Sequence, residues 1–108
     1  MSKLNEVDDG TFDKEVLQAA EPMLVFFWAT WCDPCLIMEP EVELVAQTFA
    51  GRAGVVKLNV DDASITTQQY FINNLPRLLL FKGGKEVDVL GGTPDRATIG
   101  QMIEKHLK

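Results

Sequence analysis

The most telling stretch of this chain is Met23–Cys35, with the sequence MLVFFWATWCDPC. Residues 23–29 are apolar without alternation, which predicts a central strand covered on both faces. Cys32 and Cys35, the two cysteines of the chain, follow with two residues between them. Two thiols at this spacing can close a disulfide and reopen it, and Pro34 just inside a helix start places them where the helix dipole stabilises a thiolate. The stretch therefore predicts strand, turn, dithiol and helix, arranged as a site for disulfide exchange.

Helical patterns lie on both sides of this stretch. Thr11 has the properties of an N-cap for a first helix that Glu21-Pro22 ends. A longer helix is expected from Pro34 to about Phe49, with Pro40 inside it producing a kink and Gly51 just past its end. The predicted inner stripe of this helix consists of Met38, Val42, Val45 and Phe49.

The second half of the chain starts with another strand pattern. A strand is predicted over residues 55–60, because apolar and polar side chains alternate from Val56 to Val60. A short helix is expected from Ser64 to about Ile72, after which Asn73-Asn74 can supply a left-handed turn.

A hairpin and a helix complete the predicted architecture. The apolar runs 78–81 and 86–90 flank a Gly-Gly tip, a pattern typical of an antiparallel hairpin. Thr93 is the expected cap of a last helix that starts at Pro94. The order of these elements is strand–helix–strand, then a hairpin, then a helix. This order predicts an α/β fold, with a mixed sheet between helices on both faces.

Length and composition favour one small globular domain over residues 1–108, working as a monomer. The net charge of −6 excludes the basic surface that a nucleic-acid partner would need. Residues 1–9 lack the apolar core of a signal peptide, and the longest apolar run has seven residues against the roughly 20 of a transmembrane helix. The expectation is therefore a cytoplasmic protein without a membrane partner, where a cysteine pair is catalytic or metal-binding rather than a structural crosslink.

Taken together, these features resemble the thioredoxin family over essentially the whole chain. The residues that carry the resemblance are Phe27-Trp28-Ala29, Trp31-Cys32-x-Pro34-Cys35, Pro40, Lys57-x-Asn59-Val60-Asp61, Leu75-Pro76, Leu79-Leu80-Phe81-x-x-Gly84 and Gly91-Gly92. The resemblance implies a thioredoxin fold, with a central mixed sheet of four to five strands flanked by about four helices. It also implies a protein-disulfide reductase that holds no cofactor apart from its redox-active Cys32–Cys35 pair.

The family likeness suggests a role for each matching position. Cys32 would be the exposed nucleophile that attacks a disulfide of a substrate protein, and Cys35 the more buried thiol that resolves the mixed disulfide. A thioredoxin reductase or a similar electron donor would then restore the dithiol. Pro76 would be a cis-proline facing the cysteines. The surface that contacts the substrate would include Trp31, Leu75, Pro76, Arg77 and Gly92.

Two residues around the dithiol, Asp33 and Phe26, depart from the family pattern, and the second departure affects Lys57, which matches it. Asp33 stands where glycine is usual; its carboxylate should disfavour the Cys32 thiolate, while as a helix N-cap it would simply stabilise the helix. Phe26 replaces a buried aspartate that is thought to help deprotonate the resolving thiol, so it should stabilise the core and slow resolution by Cys35. Lys57 thereby loses its expected partner, and its ammonium is expected to reach water.

Two further departures lie on the expected contact surface. Arg77 follows Pro76 where threonine is usual; it would favour the Cys32 thiolate or an acidic partner, or be an ordinary surface arginine. Leu36 follows Cys35 where a basic residue is usual, and it would either extend an apolar docking patch or pack inward.

Three rival interpretations remain open at the level of sequence. The first is metal binding: a mononuclear zinc site needs about four ligands, and besides the cysteines the chain has His106 alone, whose position suits a helix carboxyl end. A metal or iron–sulfur cluster would thus have to bridge two chains. The second is a redox-inactive scaffold subunit of the same fold, and the third is a more oxidising, isomerase-like variant.

Overall fold

A central strand buried on both faces organises the structure. The computed structural model describes residues 4–107, so the first three residues of the amino-terminal segment considered above lie outside the described part. Strand β2 (Met23–Trp28) lies between β3 (Gly54–Asn59) and β4 (Arg77–Lys82), and its first five residues are buried. The prediction of a doubly covered strand from an apolar run without alternation is confirmed.

The sheet of the described residues has five strands and mixed direction. With β1 (Asn5–Val7) and β5 (Lys85–Gly91) its order is β1-β3-β2-β4-β5. The first three strands of that order are parallel, whereas β4 runs antiparallel to β2 and β5 antiparallel to β4. This is the mixed α/β sheet that the sequence predicts.

Helices cover both faces of the sheet. Between Leu4 and Leu107 the chain forms α1 (Asp33–Thr48), α2 (Ser64–Gln69), α3 (Arg96–Lys105) and a π-helical turn, Asp13–Leu17. Helices α1 and α3 pack on the face that receives Phe26, together with Leu78 and Leu80. The π-helical turn lies on the opposite face, which receives Val25 and Phe27. Neighbouring residues of β2 therefore belong to different cores, as the two-residue period of a strand requires.

Helix α1 agrees closely with the sequence prediction. It starts one residue before Pro34 and ends one residue before Phe49, and it contains Pro40. The four residues of the predicted inner stripe are all buried. Gly51 has a φ of +87°, the left-handed conformation expected just past a helix end.

The predicted cap of the first helix is wrong. The regular part is a π-helical turn whose N-cap position is Phe12, with no hydrogen bond from a capping side chain. The Thr11 hydroxyl instead accepts the amide of Asp8, and the Asp8 carboxylate accepts the amides of Gly10 and Thr11. Thr11 is thus used within a tight turn that precedes the helix.

The end of α2 also differs from the prediction. The helix stops at Gln69, three residues early, and the left-handed residue is Phe71 (φ +56°) rather than Asn73 or Asn74. The Ile72 amide donates to the Thr67 carbonyl and the Phe71 amide to the Gln68 carbonyl. This pair of bonds is a Schellman motif, with phenylalanine at the position where glycine is usual.

The hairpin is confirmed, whereas the cap of the last helix is not. Strands β4 and β5 meet at Gly83 and Gly84, both with positive φ, as a two-residue hairpin turn of this kind requires. Helix α3 begins at Arg96, and the side chain of Asp95, not Thr93, accepts the amide of Thr98. A carboxylate in this position also suits the helix dipole.

Candidate active site

The two cysteines lie where β2 passes into α1. Cys32 is the N-cap residue of α1, and its sulfur accepts the backbone amide of Cys35 at 3.2 Å. The two side chains form a disulfide, with their Cα atoms 5.3 Å apart. Pro34 occupies the second helical position, where its missing N–H leaves no helical bond unmade. The structure thus places the sulfurs at the positive end of a 16-residue helix.

The two cysteines differ slightly in exposure. Cys32 retains 5% of its surface, whereas Cys35 has none exposed. Cys35 belongs to the core between the sheet and α1, which also contains Phe26. Both cysteines are thus buried in the disulfide form, so Cys32 is less exposed than the sequence predicts, and it is the less enclosed of the two.

Asp33 is the first helical residue and not the cap. Cys32 holds the cap position, so the interpretation of Asp33 as an N-cap is wrong by one residue. The Asp33 side chain is exposed, and a carboxylate in the first turn still complements the helix dipole.

Lys57 has a partner that the sequence analysis missed. Its Nζ lies 3.1 Å from Glu39 Oε2, and both side chains are only 12% exposed. The same ammonium lies 4.6 Å from the ring centroid of Trp28. The expectation that Lys57 would lose its partner and reach water is therefore wrong, because Glu39 supplies the carboxylate while Phe26 stays fully buried. The two residues lie 18 apart in sequence, on different elements, so local spacing gave no signal for this pair.

Trp31 stands at the rim of the dithiol with 66% of its surface exposed. Its indole N–H donates to Asp61 Oδ2 at 2.8 Å, which ties the ring to the end of β3. The ring is held by a polar anchor while its apolar surface faces solvent. Such an arrangement suits contact with a second molecule.

The topology brings the other predicted contact residues to the same edge of the sheet. Because β4 is antiparallel to β2, its first residue, Arg77, pairs with Phe27 close to the dithiol end of β2. Arg77 also pairs with Gly91, so Gly92 follows at that edge, with a φ of +70°. The peptide bond between Leu75 and Pro76 is cis, as predicted.

Arg77 and Leu36 can now be described more closely. Arg77 is half-buried, and its Nε is buried without a hydrogen-bond partner among residues 4–107. Leu36 is 44% exposed and Ile37 is 77% exposed. Leu36 therefore does not pack inward, and two adjacent apolar residues of α1 face solvent beside the cysteines.

The described residues do not form a set of metal ligands. No group of three or more His, Cys, Asp or Glu side chains is placed to hold one in residues 4–107. His106 lies at the end of α3, with Nε2 2.9 Å from Asp88 Oδ2 on β5. This hydrogen bond is the main reason why the pKa of Asp88 lies below its usual value. Over the same range, no helix is long and apolar enough to cross a membrane.

Comparisons with known proteins agree with this geometry. The family model described as Thioredoxin matches residues 3–105. "Thioredoxin 1" of Nostoc sp. is 44% identical over 107 residues, covering 99% of this chain and all of that protein. "Thioredoxin" of Synechocystis sp. is 41% identical with the same coverage. "Thioredoxin M-type, chloroplastic" of Chlamydomonas reinhardtii is 41% identical over 94% of this chain and 72% of that protein.

Proposed function

This chain belongs to the thioredoxin family and is a protein dithiol–disulfide oxidoreductase, and we propose that Cys32 attacks substrate disulfides while Cys35 resolves the mixed disulfide. The observation that carries this assignment of roles is the difference in exposure at the start of α1. Cys32 retains 5% of its surface and its sulfur accepts a helix amide, whereas Cys35 has no exposed surface.

The reaction starts from the reduced pair. A thiolate at Cys32, favoured by the helix N-terminus, attacks one sulfur of a substrate disulfide and releases the other as a thiolate. Cys35 then attacks the Cys32 sulfur, which frees the reduced substrate and closes the Cys32–Cys35 disulfide. The substrate gains two electrons and the cysteine pair loses them. The pair itself carries the electrons, so the exchange requires no bound cofactor.

The proposed contact surface for the substrate consists of Trp31, Leu75, Pro76, Arg77 and Gly92. The exposed Trp31 ring and the position of Arg77 and Gly92 at the dithiol edge of the sheet support it. Leu36 and Ile37 extend this surface with exposed apolar side chains. The modulating residues are proposed to be Trp31, Asp33, Pro34, Phe26 and Lys57.

The partners of the family are proteins with disulfides and an electron donor that restores the dithiol. For this chain we propose a thioredoxin reductase or a similar donor, and a single domain that acts as a monomer. We also propose a role in thiol electron transport and redox homeostasis in the cytoplasm, because a reducing pair needs a compartment that keeps thiols reduced. One relative is described as chloroplastic, so fractionation with a specific antibody should compare both compartments.

Reduction of insulin tests the proposed roles. The wild-type protein, supplied with dithiothreitol, should speed the precipitation of the insulin B chain. Cys32→Ser should abolish this activity. Cys35→Ser should trap a mixed disulfide between Cys32 and insulin, which added reductant cleaves. A trapped complex with Cys32→Ser in place of Cys35→Ser would overturn the assignment.

A further inference from the structure

The resolving step requires Cys35 to lose a proton at a site closed to solvent. Cys35 has no exposed surface, and burial among apolar side chains disfavours a thiolate. The thiol proton must nevertheless leave before, or as, the sulfur attacks Cys32. A group beside Cys35 that accepts this proton would therefore increase the rate of resolution without affecting the first attack.

Helix geometry selects one carboxylate of α1 for this task. Glu39 follows Cys35 by four residues, so the two side chains lie on the same helix face, about 6 Å apart at Cβ. Side chains on a helix lean toward its N-terminus, which carries the Glu39 carboxylate back toward the turn of Cys35. Asp33 is two residues from Cys35, on another side of the helix, and it is exposed.

The neighbours of Glu39 hold its carboxylate in place. Lys57 on β3 donates to it at 3.1 Å, and Trp28 on β2 lies beneath the lysine. Glu6 on β1, paired in register with Lys57, is occupied by the Trp28 indole N–H. Glu43 is the next carboxylate along the same face of α1. Only 12% of the Glu39 side chain is exposed, so a carboxylate is retained here at a position where packing alone would favour an apolar residue.

We propose that Glu39 is the proton acceptor for Cys35 in the resolving step, positioned by Lys57; this role rests on the proposed function. The Cys35 thiol gives its proton to the Glu39 carboxylate, directly or through one water molecule. The resulting thiolate attacks Cys32, the new Cys32–Cys35 bond forms, and the bond from Cys32 to the substrate breaks. The substrate leaves as a thiolate, and the proton held by Glu39 passes to it or to solvent.

Stopped-flow reaction of the reduced protein with dithiobis(nitrobenzoic acid) separates the two steps. Attack by Cys32 releases one thionitrobenzoate and leaves the other in a mixed disulfide, and resolution by Cys35 releases the second. In Glu39→Gln the first phase should be unchanged, and the second should slow by about a hundredfold at pH 7, the lower end of the effect of a general base. Glu39→Asp should recover part of the rate.

The pH profile distinguishes proton transfer from a structural effect. The second phase of Glu39→Gln should rise steeply with pH and approach the wild-type rate in alkaline solution, where hydroxide replaces the missing base. Glu41, like Glu39, lies on α1, and Glu41→Gln breaks an exposed pair with Arg96 of α3; it serves as the matched control, with both phases unchanged. Lys57→Met, which leaves Glu39 unheld, should slow the second phase alone, and it provides a second test if Glu39→Gln folds poorly.

The outcomes separate this inference from the proposed function. A wild-type protein without a first phase would refute attack by Cys32, and with it the proposed function. A normal first phase, with equal rates of the second phase in wild type and Glu39→Gln from pH 6 to 9, would refute the role of Glu39 and leave the proposed function intact. Slowing by one constant factor at every pH would also refute it, because misplacement of Cys35 would produce that result.

Discussion

At position 26 the sheet carries a phenyl ring where the family resemblance implies a carboxylate. The ring has no exposed surface and packs in the core that also encloses Cys35. Lys57, which pairs in register with Phe26, forms a salt bridge with Glu39 on helix α1. Lys57 therefore keeps a carboxylate partner, and this pair lies at the edge of the core, where each ion costs less to desolvate.

The substitution Phe26→Asp should destabilise the protein strongly. It removes a buried ring, which costs about 3–5 kcal/mol in related large-to-small substitutions, and adds a carboxylate that must compete with Glu39 for Lys57. Phe26→Leu, which stays apolar, should cost less than about 2 kcal/mol. Urea unfolding of both oxidised variants at pH 7 measures the difference, and equal losses would show that the ring's volume, not its lack of charge, matters at this position.

The same substitution tests whether a strand carboxylate can help Cys35. If Glu39 already accepts the proton, Phe26→Asp should change the rate of the resolving phase by less than twofold, which contradicts the expectation from sequence that Phe26 slows resolution. Combined with Glu39→Gln, however, Phe26→Asp should restore part of the lost rate. Two-phase stopped-flow traces of the single and double variants decide between these cases, and a faster resolving phase in Phe26→Asp alone would favour the expectation from sequence.

Among the elements, the end of α2 departs most from expectation. The Schellman motif places Phe71 in the left-handed region, with 83% of its surface exposed. A side chain with a Cβ costs about 1–2 kcal/mol in this conformation. The exposed phenyl ring makes little contact that would offset this cost, so Phe71 lowers the free energy of unfolding.

Glycine at this position should stabilise the protein. Phe71→Gly relieves the left-handed strain but adds about 0.5–1 kcal/mol of backbone entropy to the unfolded chain, so the expected net gain is up to about 1 kcal/mol. Phe71→Ala is the matched control, because it removes the ring and keeps the Cβ. Urea midpoints at pH 7 should rank glycine above both alanine and wild type; an alanine variant as stable as the glycine variant would assign the effect to the exposed ring.

The start of α2 is held by a residue from the loop after β1. Asp9 accepts the amides of Ile65 and Thr66 and, at 2.7 Å, the Thr66 hydroxyl. These bonds, led by the Thr66 amide, hold the pKa of Asp9 below its usual value. A carboxyl group whose pKa is lower in the folded state adds stability above its unfolded pKa, and this contribution is lost as pH falls through the folded value.

Asp9→Asn should therefore lower stability at neutral pH and leave it nearly unchanged in acid. The expected loss is about 1 kcal/mol at pH 7, a typical value for a capping carboxylate, and it should shrink as the pH falls below about 4. Urea unfolding at a series of pH values measures this difference. Asp62→Asn, an exposed neighbour of the same helix, should show no such trend, and a loss for Asp9→Asn that does not vary with pH would rule out the charge as its cause.

The elements with strong periodic signals were predictable, and their ends were less so. The burial stripe of α1 and the hairpin depend on short-range patterns, and both agree with the structure to within a residue or two. The cap at Thr11 failed because its hydroxyl is used in a turn with Asp8, and the cap at Thr93 failed because the Asp95 carboxylate accepts the helix amide instead. The pair of Lys57 with Glu39 joins residues 18 apart in sequence, and periodicity alone carries no signal for such a contact.

For the whole molecule, the cysteine pair couples redox state to folding. The cysteines belong to the core between strand β2, whose first five residues are buried, and the helix α1 that covers it, so forming or reducing the disulfide affects the stability of this core. If the reduction potential of the cysteine pair is more negative in the folded protein than in the unfolded chain, the fold favours the disulfide form. The oxidised protein must then be more stable than the reduced protein by the same free energy, about 1.4 kcal/mol for each 30 mV.

We expect a reduction potential near about −270 mV, the value of a reducing thioredoxin pair, rather than the roughly −180 mV of an isomerase. The exposed carboxylate of Asp33 supports this expectation, because a negative charge beside Cys32 destabilises the thiolate and so disfavours the reduced form. Asp33→Asn should accordingly raise the potential by up to about 20 mV, equivalent to roughly 1 kcal/mol between two solvated charges a few ångströms apart. Equilibration against glutathione buffers measures the potential, and urea unfolding of both redox states checks it independently. A reduced protein more stable than the oxidised one would place the pair among oxidants, and it would mean that the fold favours the dithiol.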